Sequence, residues 1–512
     1  MPQVPNRHHT RVRLACAASL ILASAAAAQQ SRPASNAAPA TATAPVDLPQ
    51  WWTGRVELPG MPLDFLVVFR PGPAGGPPKA TMDIPMQGAK DLALTDVALG
   101  AEQITFTIPP PAGAVFSVEP TDGGRAAVGT LAQRGMTFTV NMQRVTENEA
   151  RAFGPPRPQT PKPPFPYTAR DVTYDNPKDG AKLAGTLTIP EGQGPHPAVL
   201  LITGSGGQDR DETIFGHKPF AVIADHLTRR GIAVLRVDDR GVGGSTNPQP
   251  DVTSETFATD VDTGIAFLRK QAEIDPRRIA LLGHSEGALV ATLVAARMPD
   301  LAGIVLLAGT ALPGSQILPA QLAALSRAAG MSAELVEKQT AAQLRIFKHL
   351  DDEPDSPALR AAARELVRLQ LEAGGTPADP NQLETATDLA LKQVQNPWMR
   401  FFLRYDPREP LRKVKCPVLA LGGGLDLQVL PKDNLPEIEK ALRGAGNGDV
   451  TVKELPGLNH LFQEAQTGLV QEYATLKQTV APAVLDETSD WLQKRLGLPA
   501  SPPSPTTRSG TR

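Results

Sequence analysis

The sequence predicts an α/β fold, a mostly parallel sheet with helices on both faces and a helical cap inserted into it, preceded by a small antiparallel all-β domain. Three observations carry this. From Ala198 onward, short continuous apolar runs alternate with segments of helical length, the pattern of strands buried on both faces. The alternation stops between Ala308 and Pro417, where the chain reads as helices, and then resumes. Before it, from Trp51 to Arg144, short runs alternate apolar and polar residues and are separated by turn signals, with no helical period.

The chain has 512 residues, 41% of them hydrophobic, enough for more than one core. With 51 basic and 53 acidic residues its formal charge is -2, so the total gives no footprint for nucleic acid or an anionic membrane. Basic residues between Arg7 and Arg13, then the apolar Leu14 to Ala28, read as a secretory signal peptide over residues 1–28. A periplasmic or secreted location follows as an expectation. Cys16 opens that apolar segment, but Arg13 stands where a lipoprotein signal wants an aliphatic residue. Its removal leaves Cys416 alone, which excludes an internal disulfide and makes that thiol a small core residue. No later stretch is long and apolar enough to predict a membrane span.

The expected division continues with a disordered linker over 29–47, the β domain over 48–148 and a Pro-rich, semi-rigid linker over 149–168. The α/β domain follows over 169–498 with its helical cap at 310–416, and then a disordered tail over 499–512. Within the β domain, Leu63–Phe69, Gln103–Ile108 and Met136–Met142 read as strands. Pro71-Gly72, Asp122-Gly123-Gly124 and Arg134-Gly135 read as turns, giving a sandwich or a barrel. Trp51 and Trp52 read as core or lid residues in preference to a ligand platform.

The α/β domain opens with a hairpin, Asp171–Tyr174 and Leu183–Ile189. Strands at Ala198–Ile202, Ile232–Val237, Ile279–Leu282 and Gly303–Leu307 then alternate with helices near 219–230 and 255–270 and one after Ser285. In the cap, Ser356-Pro357 starts a helix, Gly374-Gly375 stops one and Asn396-Pro397 closes the next. After the cap come Val418–Leu421, a helix near 435–442, Val450–Leu455 and a last helix from about Glu472 to Lys494.

The chemistry centres on Gly283-His284-Ser285-Glu286-Gly287, a G-x-S-x-G turn between an apolar strand and an Ala/Val/Leu-rich helix. A serine on such a turn needs a base, itself oriented by an acid. Among the histidines, His460 stands in a loop directly after an apolar strand and is the candidate base. Asp426, after Leu421-Gly422-Gly423-Gly424, is the candidate acid, and the chain order Ser285, Asp426, His460 is that of α/β-hydrolases. The oxyanion hole is expected from the N–H of Glu286 and of Ser205 or Gly206, in the loop after Ala198–Ile202. Asp238 to Ser245 reads as a structural turn at the next strand's end, since it lacks a dinucleotide fingerprint's context. Glu286 is expected to pair with Arg210 or Arg240. Trp398, Phe401, Phe402 and Tyr405 either line an acyl pocket or anchor the cap to the sheet.

From about Asp171 to Leu496 the chain resembles the bacterial secreted α/β-hydrolases of the EstD-like esterase group. The matching stretches are Thr203–Glu212, Asp238–Thr246, Gly283–Gly287, Pro397–Pro407, Gly422–Val429 and Leu455–Phe462. The resemblance implies the α/β-hydrolase fold and hydrolysis of small-molecule carboxylic esters through Ser285, His460 and Asp426. No metal or organic cofactor is implied, and the oligomeric state is left open. Two rivals are a serine peptidase of prolyl-oligopeptidase type and a non-catalytic binding protein on the same scaffold. The β region is short for a propeller of four-stranded blades, and the complete triad pattern argues against loss of catalysis.

Overall fold

The computed structural model describes residues 48–499, except 58–61, 74–75, 88, 110–112, 134–135, 250, 351–355 and 374–379. The expected signal peptide, the linker over 29–47, the Arg134-Gly135 turn, the Gly374-Gly375 stop and the tail beyond 499 lie outside the described residues. The described residues form two compact units: one comprises those up to Pro155 with those between Val367 and Ala386, the other the remainder.

The first unit holds β1 (Gln50–Val56), β2 (Leu63–Arg70), β3 (Lys79–Ile84), β4 (Ala89–Ala93), β5 (Thr95–Leu99), β6 (Ile104–Ile108), β7 (Ala114–Thr121), β8 (Ala126–Gln133) and β9 (Met136–Val145). They form one antiparallel sheet in the order β4-β3-β2-β1-β9-β8-β7-β6-β5. β4 and β5 close the two ends of that order yet are consecutive in sequence, and Leu94 N–H at their junction reaches the Ala80 carbonyl of β3 at 3.0 Å. Phe65 of β2 meets Phe116 of β7 at 5.3 Å between ring centroids, although three strands separate them in the sheet. The sheet is therefore curled around its aromatic side chains, on the barrel side of the expected alternatives. Gly54 makes room for this core: a Cβ there would stand 2.1 Å from the Phe65 ring. Trp52 is buried and Trp51 packs beside Leu66, Val68 and Ala150, so both serve the core. The unit's last strand runs into α1 (Glu147–Arg151), started by a capping box between Thr146 and Glu149.

The second unit holds an eight-stranded sheet. Its strands are β10 (Tyr167–Asp175), β11 (Lys182–Pro190), β12 (His196–Ile202), β13 (Ala233–Val237), β14 (Ile274–His284), β15 (Gly303–Leu307), β16 (Val418–Gly423) and β17 (Val450–Leu455). The order is β10-β11-β13-β12-β14-β15-β16-β17, antiparallel at β10/β11 and β11/β13 and parallel thereafter. Alternate residues feed opposite faces: Ile279 and Leu281 of β14 join one core, Ala280 and Leu282 the other. Helices α2 (Pro219–Thr228), α3 (Ser254–Leu268) and α4 (Glu286–Ala295) cover the sheet. Because β12 is followed in sequence by β13 on one side and by β14 on the other, strand order reverses at β12, and the loops leaving the parallel β12 and β14 emerge side by side at their carboxyl ends.

Between β15 and β16 come α5 (Gly314–Ala328), α6 (Ala333–Lys348), α7 (Pro357–Ala373), α8 (Pro380–Gln395), α9 (Pro397–Arg404) and α10 (Arg408–Leu411). Asn396 caps α9 through the Met399 N–H at 2.7 Å, with Pro397 at the first helical position. After β16 come α11 (Pro431–Gly444), α12 (Val470–Tyr473) and α13 (Pro482–Arg495). Cys416, just before β16, is buried.

The single last helix expected from Glu472 to Lys494 is instead two, because residues 474–481 spend their backbone groups elsewhere. Arg157 donates to the carbonyls of Leu476 (2.5 Å), Ala474 (3.0 Å) and Phe215 (2.7 Å). Gln159 accepts from the N–H groups of Thr479 and Val480 and donates to the Val480 carbonyl. Pro482 then restarts the helix. The Pro-rich segment expected as a spacer is, at Arg157 and Gln159, a strap fastened to the second unit.

Candidate active site

Ser285 stands between β14 and α4 with φ 54° and ψ -117°, a left-handed conformation that a non-glycine residue adopts at a cost of about 1–3 kcal/mol. Its neighbours enforce it. Ser285 N–H bonds to the Leu307 carbonyl at 2.8 Å. The flanking glycines leave no room for side chains: a Cβ on Gly283 would lie 2.1 Å from the Gly287 carbonyl oxygen, and one on Gly287 2.1 Å from that of Ile202. The serine is held half-exposed at a helix N-terminus, where the N–H of Glu286, first residue of α4, has no intrahelical partner.

His460 and Asp426 meet as the sequence pattern expects, Nδ1 to Oδ2 at 2.7 Å, both buried. Asp426 Oδ1 also receives the N–H groups of Gln428 and Val429. The pair arrives beside the elbow: the ring of His284, covalent neighbour of Ser285, lies 4.8 Å from the ring of His460.

The loop after β12 crosses Ser285 closely, a Cβ on Gly204 falling 3.3 Å from that of Ser285. Gly204 N–H is committed to Glu212 Oε1 at 2.7 Å, so Ser205 and Gly206, the latter at φ 96°, remain the expected oxyanion donors. Asp239 braces this loop by accepting from Thr203 Oγ1 (2.7 Å) and Gln208 N (2.9 Å). Burial pushes the Asp239 carboxyl up to about 8, with Glu286 and Glu212 adding to the rise. The Asp238-to-Ser245 turn thus supports the loop after β12 as a bracket: Asp238 holds Arg210, and Ser245 Oγ bonds back to the Asp238 carbonyl.

Glu286 does not pair with arginine. Arg210 is engaged by Asp238 and Asp171, and Arg240 by Asp179 and Asp260. Glu286 Oε1 instead accepts from Ser254 Oγ and from Trp398 Nε1, each at 2.6 Å. Burial raises the Glu286 carboxyl above its ordinary range, a rise opposed by hydrogen bonds from Ser254, Trp398 and Ser205. Burial favours the uncharged form and neutral donors already meet the carboxyl, so no arginine is needed. The four cap aromatics divide into two pairs. Trp398 stacks on Phe402, 5.5 Å and 5° apart, beside Glu286; Phe401 stacks on Tyr405, which packs against the core under the sheet.

Glu212 and His284 were not singled out by sequence reasoning. His284 Nδ1 lies 2.9 Å from Glu212 Oε1 and Nε2 lies 3.0 Å from the His460 carbonyl oxygen, all within the protein interior. The available signal was a histidine directly after the apolar run Ile279–Gly283, a place where only a partnered ring is tolerated. His217 is also a packed residue, bonded to Thr479 and the Tyr473 carbonyl and pushed down to about 4 by burial. No group of three or more His, Cys, Asp or Glu among the described residues is arranged to hold a metal, and no described helix is long and apolar enough to cross a membrane.

Residues 218–465 match the family described as serine aminopeptidase, S33. With the strand order and the strained serine turn, that match makes the second unit an α/β-hydrolase fold carrying an N-terminal antiparallel all-β unit. The chain is similar to the esterase EstD of Thermotoga maritima, 27% identical over 331 residues, 65% of this chain and 69% of that protein. It is also similar to the esterase FrsA of Escherichia fergusonii, 31% identical over 131 residues, 26% of this chain and 29% of FrsA. Among solved structures, the α/β hydrolase GrgF of a Penicillium species is 16% identical, with a TM-score of 0.40 over 65% of this chain and 100% of that one. The chain spans about two thirds of EstD and less than a third of FrsA.

Proposed function

We propose that the chain is a carboxylic ester hydrolase working through an acyl-enzyme on Ser285. The observation that carries this is the Asp426–His460 pair, 2.7 Å apart, whose imidazole lies 4.8 Å from the ring of His284, the residue before a serine held at φ 54° on a helix N-terminus. Ser285 Oγ attacks the ester carbonyl carbon while His460 Nε2 takes its proton; Asp426 fixes the tautomer by receiving Nδ1–H. The oxyanion is received by Glu286 N–H and by Ser205 or Gly206 N–H. As the carbonyl reforms, the C–O bond to the alcohol breaks and His460 returns the proton to the leaving oxygen. Water, deprotonated by His460, then cleaves the acyl–serine bond and releases the acid.

The similarity to EstD and FrsA supports esters as the substrate class; the aminopeptidase family match favours a second reading, in which the scissile bond is an amide. A serine-directed organophosphonate should label Ser285 alone, and Ser285→Ala should lose labelling and turnover together. Rates on p-nitrophenyl esters set against amino-acid p-nitroanilides separate the two readings: faster anilide cleavage makes the protein a peptidase. Absence of label and of turnover on both makes it a binding protein on a hydrolase scaffold. A periplasmic or secreted location is part of the proposal, resting on residues 1–28. Fractionation of expressing cells tests it, and recovery in the cytoplasm with Met1 retained overturns it.

A further inference from the structure

His284 is held between two acceptors. A backbone carbonyl cannot donate, so the 3.0 Å contact to the His460 oxygen requires a hydrogen on Nε2. On the other side, Glu212 Oε1 already receives Gly204 N–H at 2.7 Å, and an ionised carboxylate has no hydrogen to offer Nδ1 at 2.9 Å. The ring then carries a hydrogen on both nitrogens. We infer that His284 is an imidazolium paired with the Glu212 carboxylate, and that this buried ion pair positions the oxyanion loop and the His460 loop about Ser285.

The surroundings agree with the charge. Burial is the largest influence on His284 and opposes its ionisation, but the Glu212 carboxylate, the His460 carbonyl and the Asp426 carboxylate together outweigh it, and the ring's pKa stands above its ordinary value. The alternative moves one proton from Nδ1 to Glu212, leaving a neutral ring facing a neutral acid. It keeps the same proton count but gives up the charge-assisted bonds to Gly204 and Nδ1.

Two loops from distant parts of the sequence meet on this pair. Glu212 Oε1 fixes the loop after β12 through Gly204. His284 Nε2–H fixes the main chain of His460, and the backbone of His284 continues into Ser285. A shift in either partner moves an oxyanion donor or the base relative to the serine, so His284 and Glu212 are positioning residues for the reaction proposed above. The positioning half of the inference rests on that proposal; the charge state does not.

The test has two arms. In protein labelled with 15N-histidine, the His284 ring nitrogens, assigned by their loss in His284→Asn, should both show the protonated signature at pH 5.5, 7 and 8.5. A neutral ring at pH 7 overturns the ion pair, whether or not the protein hydrolyses esters. In the second arm, Glu212→Gln should lower kcat on a short ester roughly 10- to 100-fold with KM changed by less than about threefold. Its His284 ring should turn neutral by pH 8.5. Loss of the imidazolium with kcat and KM both at wild-type values overturns the positioning role. Should Glu212→Gln fail to fold, Glu212→Asp serves in its place, with the same split between kcat and KM expected.

Discussion

Asp426 receives three hydrogen bonds, Nδ1–H of His460 on Oδ2 and the N–H groups of Gln428 (2.8 Å) and Val429 (2.9 Å) on Oδ1. Two of the three come from its own loop, so its orientation does not depend on the histidine alone. Asp426→Asn should therefore keep the fold, since one amide oxygen can still meet the backbone donors. It presents an NH2 where Oδ2 stood and turns His460 to the wrong tautomer. Turnover is expected to fall by roughly 10^4, with KM changed far less. Steady-state kinetics on one soluble ester checks this, and a loss confined to KM contradicts it.

The bond from Trp398 Nε1 to Glu286 Oε1 ties α9 to the Ser285 turn, with Phe402 stacked behind the indole. Trp398→Phe removes that donor and little volume. The ratio of rates on long to short acyl esters should change by about three- to tenfold while turnover persists. Tyr405→Ala, on the pair packed against the core, should lower stability and leave that ratio alone. The same ratio in wild type and Trp398→Phe makes α9 a scaffold only.

Asp239 gives the protein a pH-dependent stability of defined sign. Its folded pKa of about 8 lies above the ordinary carboxyl value, so between roughly pH 4 and 8 the folded state holds a proton that the unfolded chain has lost. Its share of stability is complete at low pH and is lost as pH rises through that window, and Glu286, also raised, acts in the same direction. Urea midpoints should fall from pH 5 to pH 8 in wild type and fall less in Asp239→Asn. Parallel slopes in the two proteins count against a protonated Asp239.

Arg157 caps three carbonyls in or beside the non-helical stretch between α12 and α13. Arg157→Ala strands these acceptors and should destabilise the second unit by about 2–4 kcal/mol. Thermal unfolding of the variant checks this, and protease sensitivity should rise first near Leu476. A melting curve superimposable on wild type would mean that water replaces the guanidinium without penalty.

Much of the site was legible because its residues sit at the ends of apolar strands. Leu281-Leu282 leads to Ser285, Leu421 to Asp426 and Leu455 to His460, and a parallel sheet brings such ends together whatever the sequence distance. Side-chain partners were not legible. Arg210 and Arg240 lie on loops that sequence order makes neighbours of Glu286, but Asp238 and Asp260 claim them, and what reaches Glu286 is an indole from the cap, 112 residues away. The break before Pro482 was hidden for a related reason: 474–481 reads as helix locally, and the groups that unwind it, Arg157 and Gln159, stand more than 300 residues upstream. The curling of the β sheet depended on which edges meet, and alternation along single strands carries no record of that.

Burial pushes the Cys416 thiol up to about 12, and Asn447 clamps the main chain on either side of it by bonding to the carbonyls of Val414 and Cys416. Thiolate is the reactive form, so a thiol reagent has almost nothing to attack while the entrance to β16 stays shut. In a chain freed of residues 1–28, Cys416 is the sole sulfhydryl, and its rate of modification becomes a clock for the opening of the strand that delivers Asp426. Read with and without an organophosphonate on Ser285, that clock would time how far occupancy of the serine slows breathing on the Asp426 side of the sheet.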